Sequence, residues 1–404
     1  MKIKRVEKHL IKKNDFLWKI IDDLCFKTKN VYNCANYIVR QEFINNNKWI
    51  RYNRLDKLIQ KQECYYELGS QCSQQVLKIV DQTWHSFFVS IKDWSKNKSK
   101  YLGKPKLPKY KHKEKGRFIL TLSNIQFRIE NGYIFFSWKP LKQLNNTFKT
   151  NINNKLMQLR FIPKGKDYVM EIVYEIDVPE TDNKVDRIIG IDIGVDNLAT
   201  VSNNIKQKPF IVNGKSLKSI NQFYNKKKAN LQSNLKLLHN KEWSNKLQRL
   251  TDKRNNKVDD YLHKASKYII DWCVLYEIDT IIIGKNINWK QKSDMSKKVN
   301  QNFVGIPHDR FIQMIIYKAE NNGIKVICTE ESYTSGTSFL DNEESIKENY
   351  NKSRRITRGL FKSNEGELIN ADLNGAYQII KKVVPKAFVD GIEGVGLHPV
   401  RINF

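Results

Sequence analysis

"RIIGIDIGVDNLATVSNNIKQKPFIVNG" (residues 187–214) opens the half of the chain in which hydrophobic pattern speaks most directly. After Arg187 the run "IIGIDIG" is apolar apart from one acid, the signature of a buried strand. "LATVSNNIKQKPFIVNG" (198–214) then reads as two further strands of a meander. A helical region follows from about 215 to 276. Beyond it come the strand "TIIIG" (280–284), a helix around "FVGIPHDRFIQMIIYKAENNG" (303–323) and the strand "IKVICT" (324–329). After a polar stretch, "NADLNGAYQIIKKVV" (370–384) returns to helical spacing.

Three strands, helix, strand, helix, strand, helix is the element order of an RNase H-like mixed α/β domain. The first half of the chain differs. Residues 1–14 read as a short strand with a basic tail, and helical spacing runs from 15 to 97. "KNKSKYLGKPKLPKYKHKEKGRF" (96–118) breaks the helix with Pro105 and Pro108. It concentrates Lys104, Lys106, Lys109, Lys111, Lys113, Lys115 and Arg117 around Tyr101 and Tyr110. Charge runs are usually solvated faces, but stiffened lysines with interleaved aromatics also suit a surface that tracks phosphates. Residues 117–178 alternate as strands, which predicts a small antiparallel barrel or sandwich, and "PETDNKVD" (179–186) is a polar spacer.

Composition points the same way. The 404 residues carry a formal net charge of +29 with 11% aromatic content, so the surface repels itself unless a polyanion covers it. Solubility alone calls for much less charge. The six cysteines (25, 34, 64, 72, 273 and 328) form no CxxC pair, which argues against a disulfide framework and a zinc ribbon. No apolar run suits a signal peptide or a membrane span, so a cytoplasmic location and no membrane partner are expected.

The acids carry the chemistry. Asp192 sits inside an apolar strand between Gly190 and Gly194, an expensive place for a carboxylate unless a cation or hydrogen bonds compensate. Asp372 opens the last helix, where an acid can also serve the helix dipole. Two acids at one edge of such a sheet can hold a pair of Mg²⁺ ions for phosphodiester hydrolysis. The end of "TIIIG" is where a third carboxylate is sought, and Gly284 stands there.

"GIDIGVDNLATV", "HKASKYIIDWC", "IIIGKNINWKQ", "NQNFVGIPHDRFIQMI", "EESYTSGTSFLDNE" and "RRITRGLFKSNEGELINADLNGAYQIIKKV" together resemble the TnpB family of transposon-encoded, RNA-guided nucleases, relatives of the type V CRISPR effectors. The resemblance runs through residues 187–384 and is looser over 1–186, where it rests on layout and on "GKPKLPKYK". It implies an α+β multidomain protein: a wedge-like β-barrel at 1–14 and 100–182, a helical recognition insertion at 15–99, and a RuvC-like nuclease domain at 183–404. Residues 332–368 would be an inserted segment that binds target nucleic acid. The implied partners are a guide RNA and duplex target DNA beside a short flanking motif, in a prokaryotic, nucleoid-associated setting, with a monomer favoured.

Carried onto this sequence, the first and last RuvC aspartates fall on Asp192 and Asp372, and the glutamate usually found at the end of the fourth strand falls on Gly284. Some members resemble this chain in reading "IG.N" here, and in that group "EESYTS" ends the next strand, from which a long glutamate side chain could reach the metals. Glu331 is therefore expected to complete the catalytic, metal-holding set, with Glu330 as the fallback. The competing reading is a nuclease-inactive, RNA-guided DNA-binding repressor. A guide-free packaging protein is a third class, but it has no use for the acids. Segment 332–368 lacks cysteine, so no structural zinc is expected, while Arg354, Arg355 and Arg358 are available to phosphates. Lys226, Lys227, Lys228 and Arg254 join the predicted nucleic-acid contacts. His263 and His308 are not expected to act as bases, since a two-metal mechanism needs none.

Overall fold

Lys2–Ile11 alternates exposed and half-buried residues and forms strand β1. The computed structural model describes residues 2–180, 184–286, 301, 304–389 and 391–404. Part of the spacer at 181–183 and of the quoted motifs at 287–300 and 302–303 therefore lies outside the described residues. The chain divides into two units, Lys2–Asp177 and Val178–Phe404.

In the first unit β1 pairs antiparallel with β6 (Asp167–Asp177), from Lys2 opposite Asp177 to Ile11 opposite Tyr168. β6 pairs with β5 (Lys155–Lys164), and β5 with β2 (Leu120–Ser123). Where a small antiparallel barrel or sandwich is expected, the strands form a four-stranded sheet, β1-β6-β5-β2, and a separate two-stranded ribbon of β3 (Phe127–Glu130) and β4 (Tyr133–Phe136). Between β2 and β3 the Gln126 side chain accepts from the Ser123 backbone N–H at 3.0 Å where the chain turns. Asn131 and Gly132 then take positive φ (49° and 75°) and close the ribbon as an Asn-Gly hairpin turn.

Helices α1 (Trp18–Asn46), α2 (Tyr52–Ile59), α3 (Glu63–Leu68) and α4 (Ser70–Lys96) pack with this sheet around one apolar core that includes Ile21, Val31, Trp84, Phe161 and Met170. The basic segment runs antiparallel along α1 and is pinned to it through its own carbonyls. Arg40 and Asn36 donate to the Pro108 carbonyl (3.0 and 3.1 Å), Asn33 to Lys111 (2.9 Å) and Lys29 to Lys113 (2.5 Å). Positions 29, 33, 36 and 40 lie on one helix face.

The second unit is built on a six-stranded sheet in the order β11-β10-β7-β8-β9-β15. β7 (Ile188–Ile193), β8 (Asn197–Asn203) and β9 (Phe210–Asn213) form the antiparallel meander. β10 (Thr280–Gly284) joins β7 in parallel, and β11 (Lys325–Thr329) joins β10 in parallel. The expected helical stretch resolves into α5 (Lys215–His239) and α6 (Asn245–Leu275). Asn240 ends the first in a left-handed conformation, and the Ser244 hydroxyl caps the second by accepting from the Leu247 N–H. α7 (His308–Glu320) precedes β11, and α8 (Ala371–Val383) closes the element series. Two features were not anticipated: β15 (Val400–Ile402) extends the sheet beside β9, and segment 332–368 contributes to a three-stranded sheet. Its strands β12 (Arg355–Thr357), β13 (Leu360–Lys362) and β14 (Leu368–Asn370) sit on a small core of Phe339, Phe361, Ile369, Leu373 and Tyr377. Among the described residues no helix is long and apolar enough to cross a membrane.

α8 lies unusually close to β7. A Cβ on Gly190 would stand 2.4 Å from the Ala376 carbonyl oxygen and 2.6 Å from the Ile380 side chain. Gly190→Ala is expected to destabilise the protein by more than about 3 kcal/mol, read as a lowered urea midpoint, because backbone must move to accommodate the methyl group. Arg117→Ala should also destabilise, by roughly 1–3 kcal/mol, since its fork donates to Asp22 at 2.7 and 2.8 Å. Lys104→Ala, fully on the surface, should leave the midpoint in place.

Candidate functional site

β7 and β8 pair directly at Asp192 and Thr200, and this fixes Asp192 at the carboxyl end of β7. The residues before it are buried on both faces, so the strand delivers a carboxylate from an apolar layer into an open cleft of about 1300 Å³. Asp372 lines the same cleft from the first turn of α8, and Glu331 lines it from just beyond β11. The structure thus brings Asp192, Glu331 and Asp372 together. Glu330, the fallback, is exposed and accepts a hydrogen bond from the Ser332 hydroxyl at 2.8 Å.

Glu331 occupies the space left by Gly284. A Cβ on Gly284 would lie 3.0 Å from Glu331 Oε2 and 3.2 Å from Glu331 Cβ. The glutamate of one strand end therefore fills the position that a side chain on the neighbouring strand would take. Its Oε1 accepts from Asn286 Nδ2 at 3.0 Å, while Oε2 is buried and has no hydrogen-bond partner. Burial pushes the Glu331 carboxyl up to about 7. Asp192 is driven well above the usual carboxylate range, first by burial and then by the charges of Glu331 and Asp372, against the opposing pull of Arg355. Asp192 keeps some area open to the cleft, but protein surrounds it on its other sides, so burial dominates.

Asp372 is held differently. Its Oδ2 accepts from Asn197 Nδ2 at 2.7 Å, and its Oδ1 accepts from Arg355 at 2.6 Å. With Asp372 turned to these partners, no group of three His, Cys, Asp or Glu side chains among the described residues is gathered tightly enough to grip one ion as it stands. The donor chemistry nonetheless fits a hard divalent cation. The three groups are all carboxylates, two of them are pushed toward protonation chiefly by burial, and one buried oxygen lacks any donor.

The predicted cationic contacts separate into two kinds. Lys104, Lys106, Lys109, Tyr110, Lys111 and Lys113 are exposed on the pinned segment, and Lys226 and Lys227 are exposed on α5. Lys228 is half-buried with its ammonium 5.9 Å from the centre of the Tyr224 ring. The arginines are engaged within the protein. Arg117 pairs with Asp22, whose carboxyl is pushed up by burial but held below its ordinary range by the stronger combined pull of Arg117 and Tyr168. Arg254 donates to Asn221 and to the Gly305 carbonyl. Arg354 pairs with Glu343, Arg355 with Asp372 and Arg358 with Asp196, each at 2.6 Å. Arg117, Arg254 and Arg354 thus have partners within the protein, and Arg355 and Arg358 line the cleft beside the acids.

Neither singled-out histidine lies in the cleft lining. His308 is buried with Nε2 3.0 Å from the Gly194 carbonyl, tying α7 to the loop after β7, and His263 is exposed on α6. Sequence reasoning missed Asn197, Asn286 and Tyr333. The first two were visible only as polar residues in "GVDN" and "IGKN"; Tyr333 carries a φ of 68° at the cleft.

With this geometry in view, residues 171–290 match the OrfB_IS605 family, described as a probable transposase, and residues 308–379 match the Cas12f1-like TNB domain. The chain is 26% identical over 275 residues to the CRISPR-associated endodeoxyribonuclease Cas12f2 of a Micrarchaeota archaeon, covering 63% of this chain and 47% of that protein. It is 31% identical over 148 residues to the CRISPR-associated endodeoxyribonuclease Cas12f1 of Sulfoacidibacillus thermotolerans, covering 36% of this chain and 32% of the relative. The matched stretches span less than half the length of these curated relatives. Among solved structures, the mini-RNA-guided endonuclease CRISPR-Cas-phi3 shares the fold at a TM-score of 0.50 and 8% identity, over 95% of this chain and 92% of the other. Two family models match in succession, one over the stretch that carries Asp192 and the other over the stretch that carries Glu331 and Asp372, so the second unit is similar to the TnpB-like proteins.

Proposed function

We propose that the protein is an RNA-guided DNA endonuclease, with Val178–Phe404 as a RuvC-like nuclease unit and Lys2–Asp177 as a wedge-like sheet with recognition helices. Guide pairing would choose the target, protein side chains would read a short flanking motif, and duplex DNA would be cut by phosphodiester hydrolysis. One observation carries the reading: Glu331 fills the place vacated at Gly284 and leaves a buried, donor-free carboxylate oxygen beside Asp192.

In this reading Asp192, Glu331 and Asp372 hold two Mg²⁺ ions. When bound, such ions activate the attacking water and stabilise the leaving oxygen. The chain's own residues then have defined parts. Asn197 orients Asp372 through its 2.7 Å hydrogen bond. Arg355 and Arg358 stand at the cleft as partners for phosphate oxygens, and the exposed lysines of the α1-pinned segment grip backbone without reading sequence.

A second reading, guided binding without cutting, draws on the Arg355–Asp372 ion pair, which already supplies a positive charge to one acid. Incubating the RNA-bound protein with matching duplex DNA and Mg²⁺ separates the two, since only the nuclease yields product. Given cutting, Asp192→Asn and Glu331→Gln should each lower its rate by more than about 100-fold while target binding stays near wild type. Glu330→Gln should change neither. Loss of target binding in Asp192→Asn would remove the assignment of that acid to chemistry.

The raised Glu331 carboxyl makes a separate prediction for the metal-free protein. The folded state binds this proton more tightly than the unfolded chain, whose carboxyl has the ordinary value of 4.5. Its contribution to stability is therefore full below that value and is lost as pH rises through about 7. Glu331→Gln should gain on wild type across this window, by at most about 3 kcal/mol, in chelator-treated denaturation curves. Parallel pH profiles for the two proteins would contradict the burial of this carboxylate.

A further inference from the structure

Glu331 lies beyond Thr329, the last residue of β11, so strand pairing does not aim its side chain. Asn286 does. The Lys285 N–H donates to the Thr329 carbonyl at 2.8 Å, which carries the parallel pairing one step past β10 and brings Asn286 level with Glu331. Asn286 then uses both ends of one amide on that one residue. Nδ2 donates to Oε1 at 3.0 Å, and Oδ1 accepts from the Glu331 backbone N–H at 3.3 Å. The pair of contacts also sets the amide's orientation, because the flipped form would face oxygen with oxygen and nitrogen with nitrogen.

We propose that Asn286 is the positioning residue of the cleft: with Gly284 it forms a receptor for the Glu331 carboxylate, holding Oε1 so that Oε2 remains to ligate a divalent cation. This rests on the nuclease reading and adds to it a residue with no direct part in the chemistry. Gly284 supplies room, since a methyl group there would meet Oε2 at 3.0 Å and Ile379 at 2.5 Å. Asn286 supplies direction. Aspartate at 286 would lose the donor and add a further acid to a site already short of positive charge. Glutamine would be one methylene too long to meet both the backbone N–H and Oε1 from the same Cα. An asparagine two residues after the strand glycine is thus the counterpart of a carboxylate that has moved to the neighbouring strand end.

Mn²⁺ binding to the full chain without nucleic acid, followed by the loss of the free-ion EPR signal, tests the proposal in a double-mutant cycle. Asn286→Ala should weaken Mn²⁺ binding about 10–100-fold. In the Glu331→Gln background the same change should have no further effect. Asn286→Leu, which keeps the size, removes the amide and adds no charge, should match Asn286→Ala and guards against a folding defect from lost side-chain volume. In guided cutting, kcat should fall with KM for target unchanged. Equal weakening in both backgrounds, or none in either, overturns the role of Asn286. Wild-type protein that binds no Mn²⁺ overturns the metal-dependent nuclease reading, and this inference with it, whereas wild-type binding indifferent to position 286 overturns the inference alone.

Discussion

Like charges in a poorly hydrated space set the terms for the second unit. Two carboxylates about 4 Å apart at an effective dielectric near 20 repel by roughly 4 kcal/mol, a sizeable part of a domain's net stability. Asp192, at the end of β7, feels repulsion of this kind from Glu331 in the loop after β11 and from Asp372 at the start of α8. Arg355 relieves Asp372 and, more weakly, Asp192. It leaves Glu331 Oε2 without a donor. Protons or cations added to a site so arranged stabilise it, which is what the proposed metal-dependent chemistry requires.

The space itself is cut by glycines. Gly190 lets α8 approach β7, Gly284 makes room for Glu331, and Gly375 brings the α8 backbone to Asp192, where a Cβ would lie 3.1 Å from Oδ2. Each belongs to a different element, and in each case a side chain would displace backbone or an acid. The helix that carries Asp372 is therefore seated by contacts that also confine Asp192. This coupling explains how a carboxylate can change its place in the sequence while keeping its place in the fold. Because β10 and β11 run parallel and in register, from Thr280 opposite Lys325 to Gly284 opposite Thr329, their ends open on the same cleft.

Much of this was legible in the residues themselves. Burial on both faces of β7 and β10 follows from their apolar runs, and the placement of Asp192 and Asp372 follows from position and residue type. The choice between Glu330 and Glu331 did not, because alternation stops with β11 at Thr329 and the chain beyond it follows hydrogen bonds from Asn286 and Thr334 instead. Short elements were missed for a related reason. β12, β13, β14 and β15 have three residues each, too few to show a period. The break between β2 and β3 was equally hard to read, since it is marked by one side-chain turn, Gln126 on Ser123. Charge alone also cannot distinguish an unpaired cation from half of an ion pair: Arg117 and Arg354 share a sign with Lys104 and Lys109 but are paired with Asp22 and Glu343.

The first unit shows how that distinction is built physically. A cation anchored by a carboxylate is ordered but largely neutralised, as Arg117 is by Asp22. The segment from Lys104 to Lys113 is ordered another way. Lys29, Asn33, Asn36 and Arg40 hold its backbone carbonyls, so fixing the chain consumes none of the charge on its exposed lysines. Among the described residues, Lys104, Lys106, Lys109 and Lys113 have no carboxylate partner. One turn of α1 advances about 5.4 Å, close to two residues of extended chain, so successive turns can meet successive carbonyls without straining either partner. A row of lysines whose backbone is set in place through its carbonyls and not through carboxylates, on a chain of +29, has that part of its ordering entropy already met and its own charge still available to a polyanion.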